Sequence, residues 1–285
     1  MTPSWENLGK IDPKALWEAR LQAHHAVQWV ARAACANIMP MPGDTHSNFG
    51  WDPTQFALIS HELRGRDDTL RVGLAVGTMT LLVLRQTSVV DQFVLDGNRH
   101  TDAGAWLDGI LGNAGLALAS GAALPYAIPA HPVANGATYT SGPYRGEFAV
   151  LANWFACADE ILGDIRSHLP QGAASPVRCW PHHFDIATLW TLGAGDAQTA
   201  PSVSIGLCPG DGYYAQPYFY VVPWPRPAPE KLPPLPPPGD WHTSGDFVGA
   251  VLTGDALVAL ADRTIRTRQF LDAAVNVARR LVAPR

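Results

Sequence analysis

The stretch VRCWPHHFDIATLW, residues Val177 to Trp190, holds Arg178, Cys179, Trp180, His182, His183 and Asp185 within a few positions of one another. Its second half is β-branched and apolar, the composition of a strand. Alternate side chains of a strand share a face. Taken as extended from His182, the segment places His183, Asp185, Ala187 and Leu189 on one side and His182, Phe184, Ile186 and Thr188 on the other. His183 and Asp185 are then about 7 Å apart, close enough for leaning side chains to pair. An Asp beside a His fixes its tautomer and raises its basicity, which prepares the ring for general-base work. Arg178, at the start of the segment, offers a planar fork for a carboxylate or an oxyanion.

Outward from this stretch, the second half of the chain reads helix, strands, helix. EFAVLANWFACADEILGDIRSH (147–168) is helical, and SVSIGLCPG, PYFYVVPW and DFVGAVL follow as strands. A helix from about Asp255 to Ala283 closes the chain, with a bend expected near Arg263. The first half has the same order. A helix opens with Asp12 as N-cap and Pro13 at its first position and runs to Ala36, apolar on more than one side. After the polar knot DTHSNFGWD come the strand segments QFALISHEL, LRVGLAVG, MTLLVLRQ and VVDQFVLDG. A second helix, capped by Thr101, runs to about Leu118. The pattern predicts an α+β fold in which two related helix-plus-antiparallel-sheet units, the products of an internal duplication, form one globule. Their expected bounds are 1–122 and 146–285, joined by a Gly/Ala/Pro-rich connection (123–145), with a Pro-rich strap at 223–243.

Of the 285 residues 47% are hydrophobic and only 16% charged, which argues against disorder. The net charge of −5, without a run of Lys or Arg, disfavours nucleic-acid binding, whose affinity rests on basic patches. Cys35, Cys157, Cys179 and Cys208 are widely spaced and read as reduced thiols. No secretory leader and no apolar run of membrane-spanning length is apparent, so a soluble, cytoplasmic protein with no membrane partner is expected. The fingerprints GxGxxG, GxSxG, SxxK and HExxH are absent, so no organic cofactor is predicted. A divalent metal would need His183 and Asp185, with His242 as third ligand.

The strand PYFYVVPW sets Phe219 and Val221 toward the core and Tyr218 and Tyr220 on the opposite face, where each hydroxyl needs a partner. Together with Trp180, His182 and Tyr213 these rings predict an aromatic-walled pocket, closed by His242. His46 and Trp51, from the first knot, supply an opposite wall, or else belong to a cap-and-turn cluster. His24 reads as a satisfied core or interface histidine with Gln28 one turn away, and Cys208 as a buried small hydrophobe. The leading expectation is a small-molecule enzyme of hydrolase or lyase type, with His183 as acid/base, Asp185 orienting it and Arg178 holding an anionic ligand. Two alternatives stand beside it: a non-catalytic binding protein, and a structural module with a buried His/Asp knot. Monomer and homo-oligomer are both open.

The arrangement WPHHFDIATL … SIGLCPGDGYYAQPYFYVVPWP resembles a family of uncharacterised bacterial proteins in which a WPxHFD strand precedes an SPGD…EPYxYVxPWP strand pair. The resemblance covers about the last 110 residues and implies no activity. Gln216 and Cys208 stand where that pattern has an acidic residue and a serine.

Overall fold

The computed structural model describes residues 3–66, 68–193 and 199–283. In them, helices and two antiparallel sheets make an α+β fold, as the periodicities predict. The chain forms two compact units that interleave in sequence. One comprises residues 15–156 and 179–184, the other residues 3–14, 157–178 and 185–283. The division therefore does not follow a single linear boundary.

In the first unit, α1 (Trp17–Ala26) and α2 (Gln28–Asn37) meet at Val27. The amide of Val27 donates to Ala23 O, and that of Ala31 to Val27 O, so helical bonding carries across the break. Residues 19–31 are all buried, which explains why the helix is apolar on more than one side. Six strands follow: β1 (Gly50–Asp52), β2 (Ala57–Ile59), β3 (Leu63–Arg64), β4 (Thr69–Ala75), β5 (Thr80–Arg85) and β6 (Ser88–Val94). They form an antiparallel sheet in the order β1-β2-β4-β5-β6, with β3 beside β4. α3 (His100–Asn113) begins earlier than the Thr101 cap predicts. Its cap is Arg99, whose amide donates to the Asp102 carboxylate at 2.9 Å, so the acidic third helical residue satisfies the cap's own N–H.

α4 (Arg145–His168) enters the second unit from Cys157 onward. Its sheet contains β7 (Arg178–Trp180), β8 (Asp185–Thr191), β9 (Ser202–Cys208), β10 (Tyr218–Trp224), β11 (Asp240–His242) and β12 (Gly249–Thr253), in the order β11-β12-β10-β9-β8-β7. After the short α5 (Gly254–Val258), α6 (Arg263–Val282) packs on β9, β10 and β12. Leu207, Phe219, Val221, Ala250 and Leu252 are fully buried on the sheet, as are Leu271, Ala274 and Ala278 on the helix, so Phe219 and Val221 do face the core. The bend expected near Arg263 is a full break. The Arg263 guanidinium donates to Glu6 O at 2.8 Å and Val258 O at 2.7 Å.

The segment that opened the sequence reading is not one strand. Pro181–Phe184 is a turn, closed by the Phe184 amide donating to Trp180 O at 2.7 Å, and Phe184 takes a left-handed φ of +58°. β8 starts only at Asp185. The first unit repeats this device between β1 and β2. There Pro53-Thr54-Gln55-Phe56 turns, and Phe56 has φ +53°. Bulky side chains rarely take this conformation, which costs roughly 1–2 kcal/mol. Both phenylalanine rings are buried, which offsets that cost.

On the face of the second sheet away from Phe219, Tyr220 pairs with Gly206 of β9, which pairs with Ala187 of β8. A Cβ on Gly206 would lie 2.6 Å from the Tyr220 ring and 2.8 Å from Ala187 Cβ. The glycine therefore lets Tyr220 lie flat across β9 and reach Asp185. Gly206→Ala should lose about 1–3 kcal/mol in urea unfolding through this overpacking. Gly212→Ala, which meets nothing within 4 Å, should stay within about 0.5 kcal/mol of the parent. Equal stability of the two variants would contradict the packing.

Candidate functional site

Four polar residues at i, i+4 spacing, Arg20, His24, Gln28 and Arg32, wind along one side of α1–α2, and Cys35 lies on the same side. At about 100° per residue they span an arc of roughly 120°. Arg20, His24 and Gln28 are buried, and Arg32 and Cys35 half-buried. A polar ridge inside an otherwise apolar helix requires partners, because buried polar groups left without one are costly. Those partners come largely from the 181–184 turn. His24 Nε2–H donates to Pro181 O at 2.9 Å, and Gln28 Nε2 donates to the same carbonyl at 3.0 Å. Tyr126 O–H donates to Gln28 Oε1 at 2.9 Å. Phe184 stacks on the His24 ring, with centroids 5.2 Å apart and planes 9° from parallel.

A carbonyl only accepts, so its partner nitrogen on His24 carries the proton and Nδ1 is left as an acceptor. That Nδ1 is buried and has no hydrogen-bond partner among the described residues. Burial pushes the pKa of His24 down to about 3, against the Pro181 bond, which raises it. The ring is neutral at pH 7.

Within the same turn, His182 is half-buried and His183 exposed, and their ring centroids are 4.3 Å apart. Burial, then the charge of His183, lowers His182 to about 4, opposed by Asp44. Tyr126 lies beside His182 at 5.6 Å between centroids, and burial raises its hydroxyl pKa. Trp180 donates its indole N–H to Gly43 O at 3.3 Å, and Phe49 and Cys179 form a two-bond antiparallel bridge. The two polar knots singled out from sequence thus lie against each other. His46 Nδ1 accepts the Met41 amide at 3.3 Å, and its Nε2 lies 3.9 Å from Cys35 Sγ. Burial raises the Cys35 pKa, so its thiol is protonated at neutral pH. Trp51 is buried between Phe56 (5.0 Å, edge-on) and Phe155 (6.3 Å, stacked), and belongs to the packing rather than to a pocket wall.

The second unit holds the remaining predicted residues. Asp185 does not pair with His183 along a strand, since the turn at Phe184 ends the alternation on which that reading depended. Its Oδ2 accepts the hydroxyl of Tyr220. Tyr218 donates to Asp211 Oδ2 at 2.6 Å, while Asp211 Oδ1 takes the amides of Tyr213 and Tyr214 at 2.8 and 3.0 Å. His242 Nδ1 accepts Tyr214 O–H at 2.9 Å, and its ring stacks on Phe247 (4.7 Å) and meets the edge of exposed Tyr213 (5.0 Å). Cys208 is buried behind Tyr218, with its pKa raised by burial and then by Asp211 and Asp185. Gln216 accepts the Asp255 amide at 2.7 Å and donates to Asp255 Oδ2 at 3.2 Å. An ionised carboxylate could accept the amide but could not donate to Asp255 Oδ2, so a glutamate here would lose the second bond and face a like charge.

Arg178 is half-buried on β7, where its charge is felt by Asp159 of α4. Burial raises the Asp159 pKa to about 6, and Arg178 opposes the shift. Its charge therefore acts on a carboxyl of its own unit. Among the described residues no three His, Cys, Asp or Glu side chains gather as a metal site, so His183, Asp185 and His242 do not assemble into one. Among them, no helix is long and apolar enough to cross a membrane.

Comparison with protein-family models, curated proteins and solved structures finds no match to this chain.

The neutral rings fix a pH dependence. Burial also lowers His25, and His100 falls to about 4. Above pH 6.5 these rings are neutral whether folded or unfolded, and their contribution is intact. Below it the unfolded chain takes up protons that the fold refuses, so stability falls toward the folded values. For His24 alone the loss approaches about 1.4 kcal/mol per pH unit. Urea unfolding at pH 7.5 and 5.0 should show a marked loss of stability at pH 5.0, reduced in His24→Gln; a flat profile would overturn the assignment.

Proposed function

We propose that the chain is a small-molecule enzyme using acid–base chemistry, with His182 and His183 as its proton-handling groups. The observation that carries this reading is the contrast within one turn. Pro181 and Phe184 are fixed by His24, Gln28 and the core, while the two imidazoles between them make no hydrogen bond among the described residues. A His182 held neutral at pH 7 is in the protonation state a base requires. Exposed His183, beside it, links that ring to solvent and substrate. Arg32 supports an anionic substrate group, because among the described residues no carboxylate lies within ion-pair distance of it. Among the described residues its Nε is buried without a partner, while Nη1 donates to Ala122 O. Hydrolysis or elimination fits this equipment, and no step calls for an organic cofactor.

A binding-only reading is favoured by one feature of the second unit. The hydroxyl of half-buried Tyr220 is spent on Asp185 and exposed Tyr213 stands edge-on to His242, which suits an aromatic surface that holds a ligand without transforming it.

The enzyme reading is tested with p-nitrophenyl acetate and p-nitrophenyl phosphate as probes. Turnover of at least one is expected. His183→Ala should reduce kcat roughly 10²-fold or more and leave the melting temperature within about 2 °C, since the ring is exposed. No turnover of either ester, or full activity in His183→Ala, would count against it.

A further inference from the structure

The Pro-rich strap displays a regular, outward-facing pattern. Pro229–Lys231 make one 3₁₀ turn, after which Leu232 is extended (φ −77°, ψ 117°). From there to Pro237 the sequence is Leu-Pro-Pro-Leu-Pro-Pro. Such a sequence favours polyproline II, a left-handed helix of three residues per turn without internal hydrogen bonds. Exposure follows that period. Leu232, Leu235 and Pro238 are half-buried, whereas Pro233, Pro234, Pro236 and Pro237 are exposed, as is Lys231. One edge of the three-sided helix is turned to the body and the other two to solvent.

The strap is also held in place. Trp241 Nε1–H donates to Pro233 O at 2.7 Å, and the Gly239 amide donates to Pro236 O at 3.1 Å. Gly239 lies so close to Phe270 of α6 that a Cβ would come within 2.3 Å of the ring. Anchoring at Trp241 and Phe270 fixes the segment in its extended form, so little conformational entropy remains to be lost when a partner binds.

We infer that Lys231–Pro237 is a docking ligand for a separate domain of SH3 type. Such a domain lays proline pairs into grooves between aromatic side chains and leaves the third edge of the helix untouched. Here Pro233–Pro234 and Pro236–Pro237 are the two exposed pairs, and the Leu232/Leu235 edge is the one already committed to the protein's own body. Lys231 precedes Pro234 by three residues and Pro237 by six, so the partner carries an acidic pocket beside its aromatic grooves. A cation at that end and a carboxylate pocket opposite it fix the direction in which the strap docks.

The probe is an isolated SH3 domain selective for basic-x-x-Pro-x-x-Pro ligands, titrated calorimetrically into the full chain. Saturable binding is expected, tighter by at least a few-fold than for a free peptide spanning 229–238. The double change Pro234→Ala, Pro237→Ala should weaken it at least tenfold, and Lys231→Glu at least fivefold. Because the prolines also stiffen the strap, Lys231→Glu serves as the variant that leaves the backbone alone. No binding at millimolar SH3 domain, binding that survives both sets of changes, or binding no tighter than the peptide's would overturn the inference.

Discussion

The carbonyl of Pro181 accepts two hydrogen bonds from one helix ridge, His24 Nε2 at 2.9 Å and Gln28 Nε2 at 3.0 Å. Each bond contributes on the order of 1 kcal/mol net, and each donor left unsatisfied in the interior costs more than that. With the Phe184 ring stacked on His24, the two bonds hold a turn whose last residue sits in a left-handed conformation. That conformation shifts the parity of everything after it. Asp185 opens β8 out of phase with the histidines, and its carboxylate takes the hydroxyl of Tyr220 across Gly206.

The polar groups therefore separate into two kinds. Some are consumed by structure: His24 and Gln28 on Pro181, Tyr218 on Asp211, Tyr220 on Asp185, Gln216 on Asp255. Others remain available at the surface of the same elements, above all the adjacent rings of His182 and His183. The conspicuous cluster in the sequence is both a structural knot and a candidate site, residue by residue. Keeping His24 neutral and buried gives up charge solvation, a cost the fold bears only because the ring has a fixed partner and a fixed stack.

Most of the architecture was legible because it is written in periodicity. The α1–α2 helix and the strands β4, β5, β6, β9, β10 and β12 follow from apolar spacing and turn formers, whereas the sequence showed only a bend where the chain breaks before Arg263. The turn at 181–184 was not, because a left-handed phenylalanine has no local signature; burial against His24 and Phe155 is a tertiary compensation. β11 was hidden at the end of the proline strap for a similar reason, as its pairing with β12 is supplied from outside the segment. The ridge Arg20, His24, Gln28 and Arg32 did carry a signal, polar residues repeating every fourth position in a helix read mainly for its apolar faces. Tyr126 carried none, since it lies in a Gly/Pro-rich connection without period.

The lock on Pro181 is tested most directly by imidazole NMR of the intact chain, with the ring nitrogens of His24 followed from pH 8 to pH 5. The account predicts one neutral Nε2–H tautomer throughout, with no titration in that range. A His24 ring that protonates between pH 6 and 7, or that carries its proton on Nδ1, would contradict it.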